Sequence, residues 1–198
     1  MLRNRPWDIV FLAGFCVYAW IRGVYEKRTR ANERQARATF AGHRWLLVFV
    51  FVGAVGVPLL YLFSPWMAFA DYRLPWGVPW AGTAIMMLAL WLFWRSHVDL
   101  GLNWSMYLEA RTGHELVTSG VYARVRHPMY AAIWGFSLAQ ALLLSNWLAG
   151  PAALVCFAPI YFVRTPREER FMQDVFGTAY DTYSLRTGRL IPRMNREA

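Results

Sequence analysis

The feature that most constrains this chain is a succession of apolar stretches separated by polar connections. Five such segments can be marked, at residues 7–21, 45–63, 79–94, 128–145 and 147–163. A helix needs ~20 apolar residues to cross a bilayer, and several of these segments are shorter. Because 57% of the 198 residues are hydrophobic, the chain is too apolar for an ordinary soluble domain. We therefore expect an all-α integral membrane protein with about five transmembrane helices.

The positive charges fall almost entirely on one side of this topology. If all five segments cross the membrane, 18 of the 21 Lys and Arg residues lie on the side of the carboxyl terminus. Short cytoplasmic loops collect Lys and Arg, so the carboxyl terminus is predicted in the cytoplasm and the amino terminus outside. The net charge of +9 then reflects topology and contact with anionic membrane lipids. We expect no nucleic-acid partner, since no basic recognition module is visible.

A single membrane domain is expected over residues 1–198. Its first part, 1–94, holds three spans, and its second part, 95–198, holds a helical hairpin at 128–163 and a cytoplasmic tail. The hairpin turn is predicted at Asn146, between the last two apolar segments.

Two further elements are predicted on the cytoplasmic side. Turn-forming glycines, among them Gly120, follow the third segment, so this polar stretch is expected to fold back as a re-entrant cap over the helix ends. After the hairpin, Thr165, Pro166 and Glu168 match a capping box with proline at the first helical position. The pattern predicts an amphipathic helix that begins there and lies against the membrane or the cap.

Metal and disulfide chemistry are not expected. His97 and His114 lack the spacing and the carboxylate companion of a metal site. Cys16 and Cys156 both lie inside apolar segments, as buried and inert thiols do. The absence of a glycine-rich loop after a strand excludes a Rossmann-type domain, so any nucleotide-like cofactor must bind among helices.

The polar stretch before the fourth segment carries the strongest chemical signal, RHPMY at 126–130. Pro128 suits the start of a helix, whose free N–H groups and positive dipole end attract anions beside Arg126 and His127. Other interpretations remain open on local sequence alone. Arg126 and Arg164 are also typical of residues that anchor a helix at the membrane surface. His127, Tyr122 and Tyr130 are typical of residues at the membrane interface, and Glu168 is typical of a helix cap.

Taken together, the two polar stretches resemble the isoprenylcysteine carboxyl methyltransferases and their prokaryotic relatives, with phospholipid N-methyltransferases as more distant kin. The resemblance covers the carboxyl-terminal half, whereas the amino-terminal half is similar only in hydropathy. The matching residues are His114, Leu116, Val117, Gly120, Tyr122, RHPMY at 126–130, Glu168, Glu169, Phe176, Gly177 and Tyr180.

The resemblance implies S-adenosylmethionine as the cofactor, bound in a cytoplasmic pocket. It implies cofactor-binding roles for His114, Glu115, Leu116, Val117, Gly120, Tyr122, Arg126, His127, Pro128, Tyr130 and Glu168. It also implies a catalytic pair in which Arg164 engages the substrate and Glu168 holds the ammonium of the cofactor. No role is assigned to Glu109, Arg167 or Glu169.

We therefore expect a membrane methyltransferase that acts on a lipophilic or lipid-modified substrate, at a carboxylate that is already ionised near pH 7. One alternative is N-methylation of a phospholipid amine, which must first lose a proton. A second is a membrane reductase that uses NADPH, although the chain lacks the extra spans of that group. A third is a non-enzymatic scaffold or transporter. The sequence indicates neither the acceptor itself nor the oligomeric state.

Overall fold

The computed structural model of the protein describes residues 5–33, 44–101 and 116–193. Within these ranges β-structure is limited to two isolated bridges, Asp71–Asn146 and Val125–Gly188. The predicted all-α class is thereby confirmed. The predicted cap falls largely on residues 102–115, which lie outside the described ranges. The helices are α1 (Arg5–Glu33), α2 (Arg44–Phe51), α3 (Val57–Phe63), α4 (Val78–Leu100), α5 (Pro128–Leu143), α6 (Ala152–Phe176) and α7 (Thr178–Arg186).

Among the described residues, three helical stretches are long and apolar enough to cross a membrane, at Pro6–Lys27, Trp45–Phe63 and Val78–Leu100. They coincide with the first three predicted segments and make this a multi-pass membrane protein. The fourth segment forms α5, which is apolar but only 16 residues long. The total of five spans remains a prediction.

The second span is a helix interrupted by a π-helical turn. This turn, Val52–Gly56, separates α2 from α3 and brings Gly53 against α6. A Cβ on Gly53 would meet the Cys156 side chain at 2.5 Å, so the close approach requires glycine. The side chain of Gln140 donates hydrogen bonds to the carbonyls of Gly53, at 3.3 Å, and Ala149, at 2.8 Å. A polar side chain thus satisfies backbone groups inside an apolar bundle, as a membrane interior requires.

The connection between α5 and α6 is built around a buried asparagine. The Asn146 amide donates to the Met67 carbonyl and to Asp71 Oδ1, both at 2.7 Å. Its Oδ1 accepts from the backbone N–H groups of Leu148 and Ala149, both at 3.0 Å. We call Asn146 and these four partners the Asn146 node. It joins the α5–α6 turn to the loop between α3 and α4.

The predicted hairpin turn at Asn146 is present but longer than the sequence indicated. The predicted fifth segment begins at residue 147, whereas α6 begins at Ala152, after Pro151. The reason is that Asn146 engages the N–H groups of the next residues and holds them in a turn.

The predicted new helix at Thr165 is wrong. The helix α6 runs uninterrupted for 25 residues, with Pro159 and Pro166 inside it, and Thr165 is buried in its interior face. The local pattern is that of a capping box, but helices in membranes tolerate proline when neighbouring groups satisfy the freed carbonyl. Local sequence alone therefore marks a boundary that the tertiary structure does not use.

The actual boundary lies at Gly177, where the backbone takes a φ of +51°. Glycine adopts this left-handed conformation without the strain that a Cβ would bring. α6 ends there and α7 starts at Thr178. The amphipathic stretch predicted after Thr165 is thus divided between the end of α6 and α7.

The bundle is organised around α5, which packs against α1, α4 and α6. Contact between α4 and α5 is close, since a Cβ on Gly135 would lie 3.2 Å from that of Ala89. α2 and the π-helical turn pack on α6. α1 therefore packs on α4 and α5, whereas α2 packs on α6, and a cavity lies between them.

Candidate active site

A cavity of about 450 Å³ opens between α1, α2, α5 and α6. Its polar end is lined by Tyr122, Arg126, His127, Arg164 and Glu168. A cavity with a few convergent polar groups beside an apolar space is the usual form of a small-molecule site. The apolar part of the wall includes Phe15, Val50, Phe51, Ala54, Phe136, Phe157 and Ile160.

The cavity reaches the outer surface of the bundle along α2. Leu47 and Phe51 line it, yet their side chains are 38% and 61% exposed. Since α2 belongs to a candidate membrane span, the surface on which they lie is one that a bilayer covers. The cavity therefore opens sideways toward lipid as well as having a polar end.

Glu168 is held at the polar end by side chains from two helices. Its Oε1 accepts hydrogen bonds from Arg164 Nε, one turn earlier on α6, and from the Tyr130 hydroxyl at 2.7 Å. His127 Nδ1 lies 3.8 Å from its other oxygen. The carboxylate is thus not used as a helix cap, and it stands in a preorganised, cationic surrounding.

α5 begins beside this carboxylate. Pro128 occupies the first turn, as predicted, and Pro128, Met129 and Tyr130 all line the cavity. The first N–H groups of a helix have no partners within it, so they present positive potential to the polar end of the cavity. The rings of His127 and Tyr130 stack with centroids 5.6 Å apart.

The neighbouring carboxylate, Glu169, does not line the cavity and binds the side chains of three residues. Arg126 Nε and His127 Nε2 each lie 3.3 Å from its Oε1, and Arg189 binds both of its oxygens. Burial raises the pKa of Glu169, but the hydrogen bonds and charges of His127 and Arg189 outweigh burial and lower it to about 2. Glu169 is therefore ionised throughout the physiological range. We call these residues, with Arg164 and Glu168, the ionic cluster.

The tail after α7 folds back onto the segment that precedes α5. Arg126 N donates to the Gly188 carbonyl at 2.8 Å, and His127 N donates to the Arg189 carbonyl at 3.0 Å. Gly188 N donates in turn to the Arg124 carbonyl at 3.2 Å. The Arg126 guanidinium also binds the Thr187 carbonyl near the end of α7. The tail thus fixes the backbone from which His127 projects, a role that sequence reasoning missed.

Tyr122 lies in a short 3-10 turn, Gly120–Ala123, and is 8% exposed. Its hydroxyl donates to the Ser96 carbonyl at 3.4 Å, and its own carbonyl accepts from the Tyr183 hydroxyl at 2.7 Å. Burial raises the pKa of Tyr122 well above its usual range, so the phenol stays neutral. Leu116 and Val117 line the cavity just before it.

Gly120 serves the turn rather than the cavity wall. Its φ is +60°, and a Cβ there would collide with the Asp99 carboxylate. Asp99 accepts a hydrogen bond from Val121 N at 2.9 Å and another from Arg95 at 2.6 Å. The carboxylate of Asp99 at the end of α4 therefore positions the turn that carries Tyr122, which the sequence pattern did not reveal.

The structure thus brings most of the predicted site residues to one cavity. Gly120 lies beside it, and His114 and Glu115 fall outside the described residues. Many of the wall residues that sequence reasoning missed come from α1 and α2, where only hydropathy was informative. The predicted residues on the wall are Leu116, Val117, Tyr122, Arg126, His127, Pro128, Tyr130, Arg164 and Glu168.

The charge on the cavity wall is unbalanced. Among the described residues that line it, Arg22, Arg126 and Arg164 are cationic, whereas Glu168 is the one carboxylate. Counted over these four side chains alone, the wall carries more cationic than anionic groups, although Arg126 is also bound to Glu169 outside the cavity. Such a site favours a ligand with anionic groups over one whose polar end is purely cationic.

Comparisons with known proteins find methyltransferases among the similar proteins. A family model described as phospholipid methyltransferase matches residues 78–179, just over half of the chain. The chain is 26% identical over 129 residues to protein-S-isoprenylcysteine O-methyltransferase B of Arabidopsis thaliana; the match covers 64% of this chain and 66% of that protein, just under two thirds of its length. It is also 22% identical over 182 residues to a probable protein-S-isoprenylcysteine O-methyltransferase of Oryza sativa subsp. indica. That match covers 88% of this chain and 95% of the rice protein.

A solved structure shows a similar fold. It is that of the eukaryotic intramembrane Ras methyltransferase ICMT (isoprenylcysteine carboxyl methyltransferase), with a TM-score of 0.58 and 21% sequence identity. The match covers 95% of this chain and 68% of that one. The likeness therefore extends to the amino-terminal helices, where the sequence is similar only in hydropathy.

Proposed function

The chain belongs to the phospholipid methyltransferase family, and from this membership we propose that it is a membrane methyltransferase that uses S-adenosylmethionine. We propose as the methyl acceptor a carboxylate on a lipophilic or lipid-modified molecule, as the names of the isoprenylcysteine O-methyltransferases suggest for those relatives. One observation carries the proposal. A single cavity joins Arg164 and Glu168 at its polar end to an apolar space that opens on the lipid-facing surface.

The residues at the polar end fit the chemistry of the cofactor. The Glu168 carboxylate suits its ammonium, and the N–H groups at the start of α5 suit its carboxylate. The Tyr130 ring offers a face for cation–π attraction to a sulfonium. When bound, S-adenosylmethionine supplies an electrophilic methyl group, which a carboxylate oxygen accepts as the methyl–sulfur bond breaks, so that an ester and S-adenosylhomocysteine form with no proton released.

Arg164 is the residue that we assign to the acceptor. Its bond to Glu168 fixes the guanidinium at the cavity wall, where it can hold and orient a carboxylate. Orientation is the principal requirement, because a carboxylate is already ionised near pH 7 and needs no general base. The apolar wall excludes water, which strengthens these ionic contacts.

The apolar part of the cavity suits a hydrocarbon chain. Phe51, Phe136 and Phe157 come from three helices and form walls without charge. The opening along α2 lets a chain remain in the bilayer while its polar end reaches Arg164. We further propose that this polar end faces the cytoplasm, because the connections there hold most of the Lys and Arg residues.

A second candidate is methylation of a phospholipid amine, which the description of the family model favours. An ammonium headgroup must lose a proton before it can attack, and it would enter a wall that carries three arginines and one carboxylate. Those arginines can also pair with the phosphate of the same headgroup, so it is the need for deprotonation and the names of the isoprenylcysteine O-methyltransferases, rather than the charge of the wall, that favour a carboxylate acceptor. Membership of a methyltransferase family likewise favours methyl transfer over nicotinamide-dependent reduction.

The test is calorimetric binding of S-adenosylhomocysteine to the full chain purified in detergent. We expect micromolar binding by the wild type, and at least tenfold weaker binding by Glu168→Gln because the ammonium loses its counter-charge. Asp174→Asn is the matched control, since Asp174 is exposed on the same helix and does not line the cavity.

A folded wild type that fails to bind S-adenosylhomocysteine would overturn the proposed function. Equal weakening by Glu168→Gln and Asp174→Asn would instead remove Glu168 from the cofactor site. Circular dichroism and the unfolding temperature in the same detergent establish that each variant is folded.

A further inference from the structure

The part of the cavity wall formed by α1 carries one arginine, Arg22, to which the proposed methyl transfer assigns no role. Arg22 lies within the candidate span Pro6–Lys27, is half-buried and lines the same cavity as Arg164. Tyr18 lines the cavity one turn earlier on α1. A charged side chain at membrane level is costly, and such residues usually face a cavity where they serve a function.

Packing on two sides holds the turn of α1 that contains Arg22. Buried Ile21 packs with Phe93 of α4 and Ala132 of α5. The Tyr25 ring lies 4.9 Å from the ring of His97, which is itself buried on α4. Arg22 therefore belongs to a fixed part of the cavity wall rather than to a loose helix end.

Arg22 and Arg164 line the cavity from two helices, α1 and α6, that both pack on α5. Met129 of α5 adjoins the packed cluster that holds α1. Tyr130 of α5 binds Glu168, one turn after Arg164 on α6. The two arginines thus lie on different helices, and both helices contact the start of α5, where the reacting groups are expected.

We propose that Arg22 determines specificity by binding the anionic headgroup of the substrate together with Arg164. This inference rests on the proposed function, because it concerns the same cavity and the same acceptor. Methylation removes the negative charge, so the ester product loses its attraction to both arginines. Arg22 therefore favours binding of the acid and release of the ester, without contact with the departing sulfur.

The test compares an anionic and a neutral probe of the same shape. N-acetyl-S-farnesylcysteine and its methyl ester differ only in the charge of the carboxyl group. Binding of each is measured by calorimetry on the full chain in lipid nanodiscs saturated with S-adenosylhomocysteine. We expect the wild type to bind the acid at least tenfold more tightly than the ester, as a charge-assisted contact allows.

The variants separate charge from packing. Arg22→Gln should weaken binding of the acid about tenfold and leave binding of the ester and of S-adenosylhomocysteine within about twofold. Arg22→Lys should recover part of the loss, since it keeps the charge. The control is Lys27→Gln, which removes one charge from an exposed position on the same helix, away from the cavity.

Three results would overturn the inference. The first is equal weakening of acid and ester by Arg22→Gln, which indicates a structural role. The second is loss of S-adenosylhomocysteine binding in that variant, which places Arg22 in the cofactor site. The third is a wild type that binds S-adenosylhomocysteine but does not distinguish acid from ester, a result that leaves the methyltransferase proposal intact.

Discussion

The bundle contains two polar groupings, one beyond each end of α5, and they differ in what their atoms leave available. In the Asn146 node, a fully buried amide uses its donors and its acceptor oxygen on backbone and side-chain partners. In the ionic cluster, Glu168 and Arg164 bind each other yet also line a cavity. The first grouping is neutral at its centre and closed, whereas the second is charged and open to a ligand.

The difference separates a structural from a functional use of polar residues in a membrane protein. A buried polar group with all its hydrogen bonds made stabilises one arrangement of the chain. A charged group that faces a cavity can still gain by binding a ligand. Substitutions in the Asn146 node should therefore change stability, and substitutions at the open face of the ionic cluster should change function.

The largest effect is expected for Arg164→Gln. Loss of the guanidinium that orients the acceptor should lower kcat/KM for N-acetyl-S-farnesylcysteine about 10²–10³-fold, while binding of S-adenosylhomocysteine stays within about threefold. A methyl-transfer assay and calorimetry on the same preparation measure the two quantities. Arg167→Gln, an exposed change on the same helix, is the control. Parallel loss of cofactor binding would contradict the separation of roles.

The next effect concerns stability. Asn146→Ala removes one hydrogen bond from each of a carbonyl, a carboxylate and two N–H groups, so the free energy of unfolding should fall by about 2–4 kcal/mol. Thermal unfolding in detergent should show the change, and the folded fraction should still bind S-adenosylhomocysteine with nearly normal affinity. Loss of S-adenosylhomocysteine binding at an unchanged unfolding temperature would show that Asn146 has a functional rather than a structural role.

Substitution of Glu169 tests whether the ionic cluster also stabilises the fold. Glu169→Gln leaves Arg126 and Arg189 without their shared anion, so we expect S-adenosylhomocysteine to bind about tenfold more weakly through displacement of His127. Because the pKa of Glu169 is lowered to about 2, its ionised form stabilises the fold above the usual glutamate pKa of about 4.3, and this contribution disappears as the pH falls toward 2.

The corresponding measurements are calorimetry at pH 7 and unfolding temperatures between pH 7 and pH 3. The wild type should lose more stability than Glu169→Gln on acidification, since the variant has no carboxylate to protonate. Identical acid sensitivity in both proteins would show that Glu169 contributes nothing through its charge. Asp174→Asn again serves as the control.

The smallest effect is expected from pH on the reaction itself. Since a carboxylate acceptor is ionised above about pH 5, the rate of methyl transfer should change less than about twofold between pH 6 and pH 8. An amine acceptor would instead give a rate that climbs about tenfold per pH unit below its pKa. A steep rise of the rate with pH would favour a phospholipid amine as the substrate.

Hydropathy and charge predicted the helical membrane class and its first three spans from the sequence. They did so because a bilayer imposes both the length of a span and the distribution of arginine. The helix start at Thr165 was predicted wrongly, because a capping pattern is local whereas continuation of α6 depends on neighbouring helices. The same limit hid Asn146 as the centre of a closed network.

The candidate site was predictable to the extent that its residues fall in the two polar stretches of the carboxyl-terminal half. RHPMY at 126–130 and Glu168 meet at the cavity, and a single resemblance pointed to both. Arg22 and the wall of α2 were not predictable, because apolar segments give no indication of which face meets a cavity. The tail at Gly188 and Arg189 contributes through backbone hydrogen bonds, which side-chain chemistry does not report.

Because the cavity opens toward lipid beside Leu47 and Phe51, the relevant substrate concentration is the one in the membrane rather than the one in water. A lipid-anchored acceptor that enters through this opening diffuses in two dimensions and meets the protein at a frequency set by its mole fraction in the bilayer. Addition of inert lipid at a constant total amount of acceptor should then slow methylation by surface dilution, although nothing in the aqueous phase has changed. The membrane thus acts as the solvent of one reactant and water as the solvent of the other.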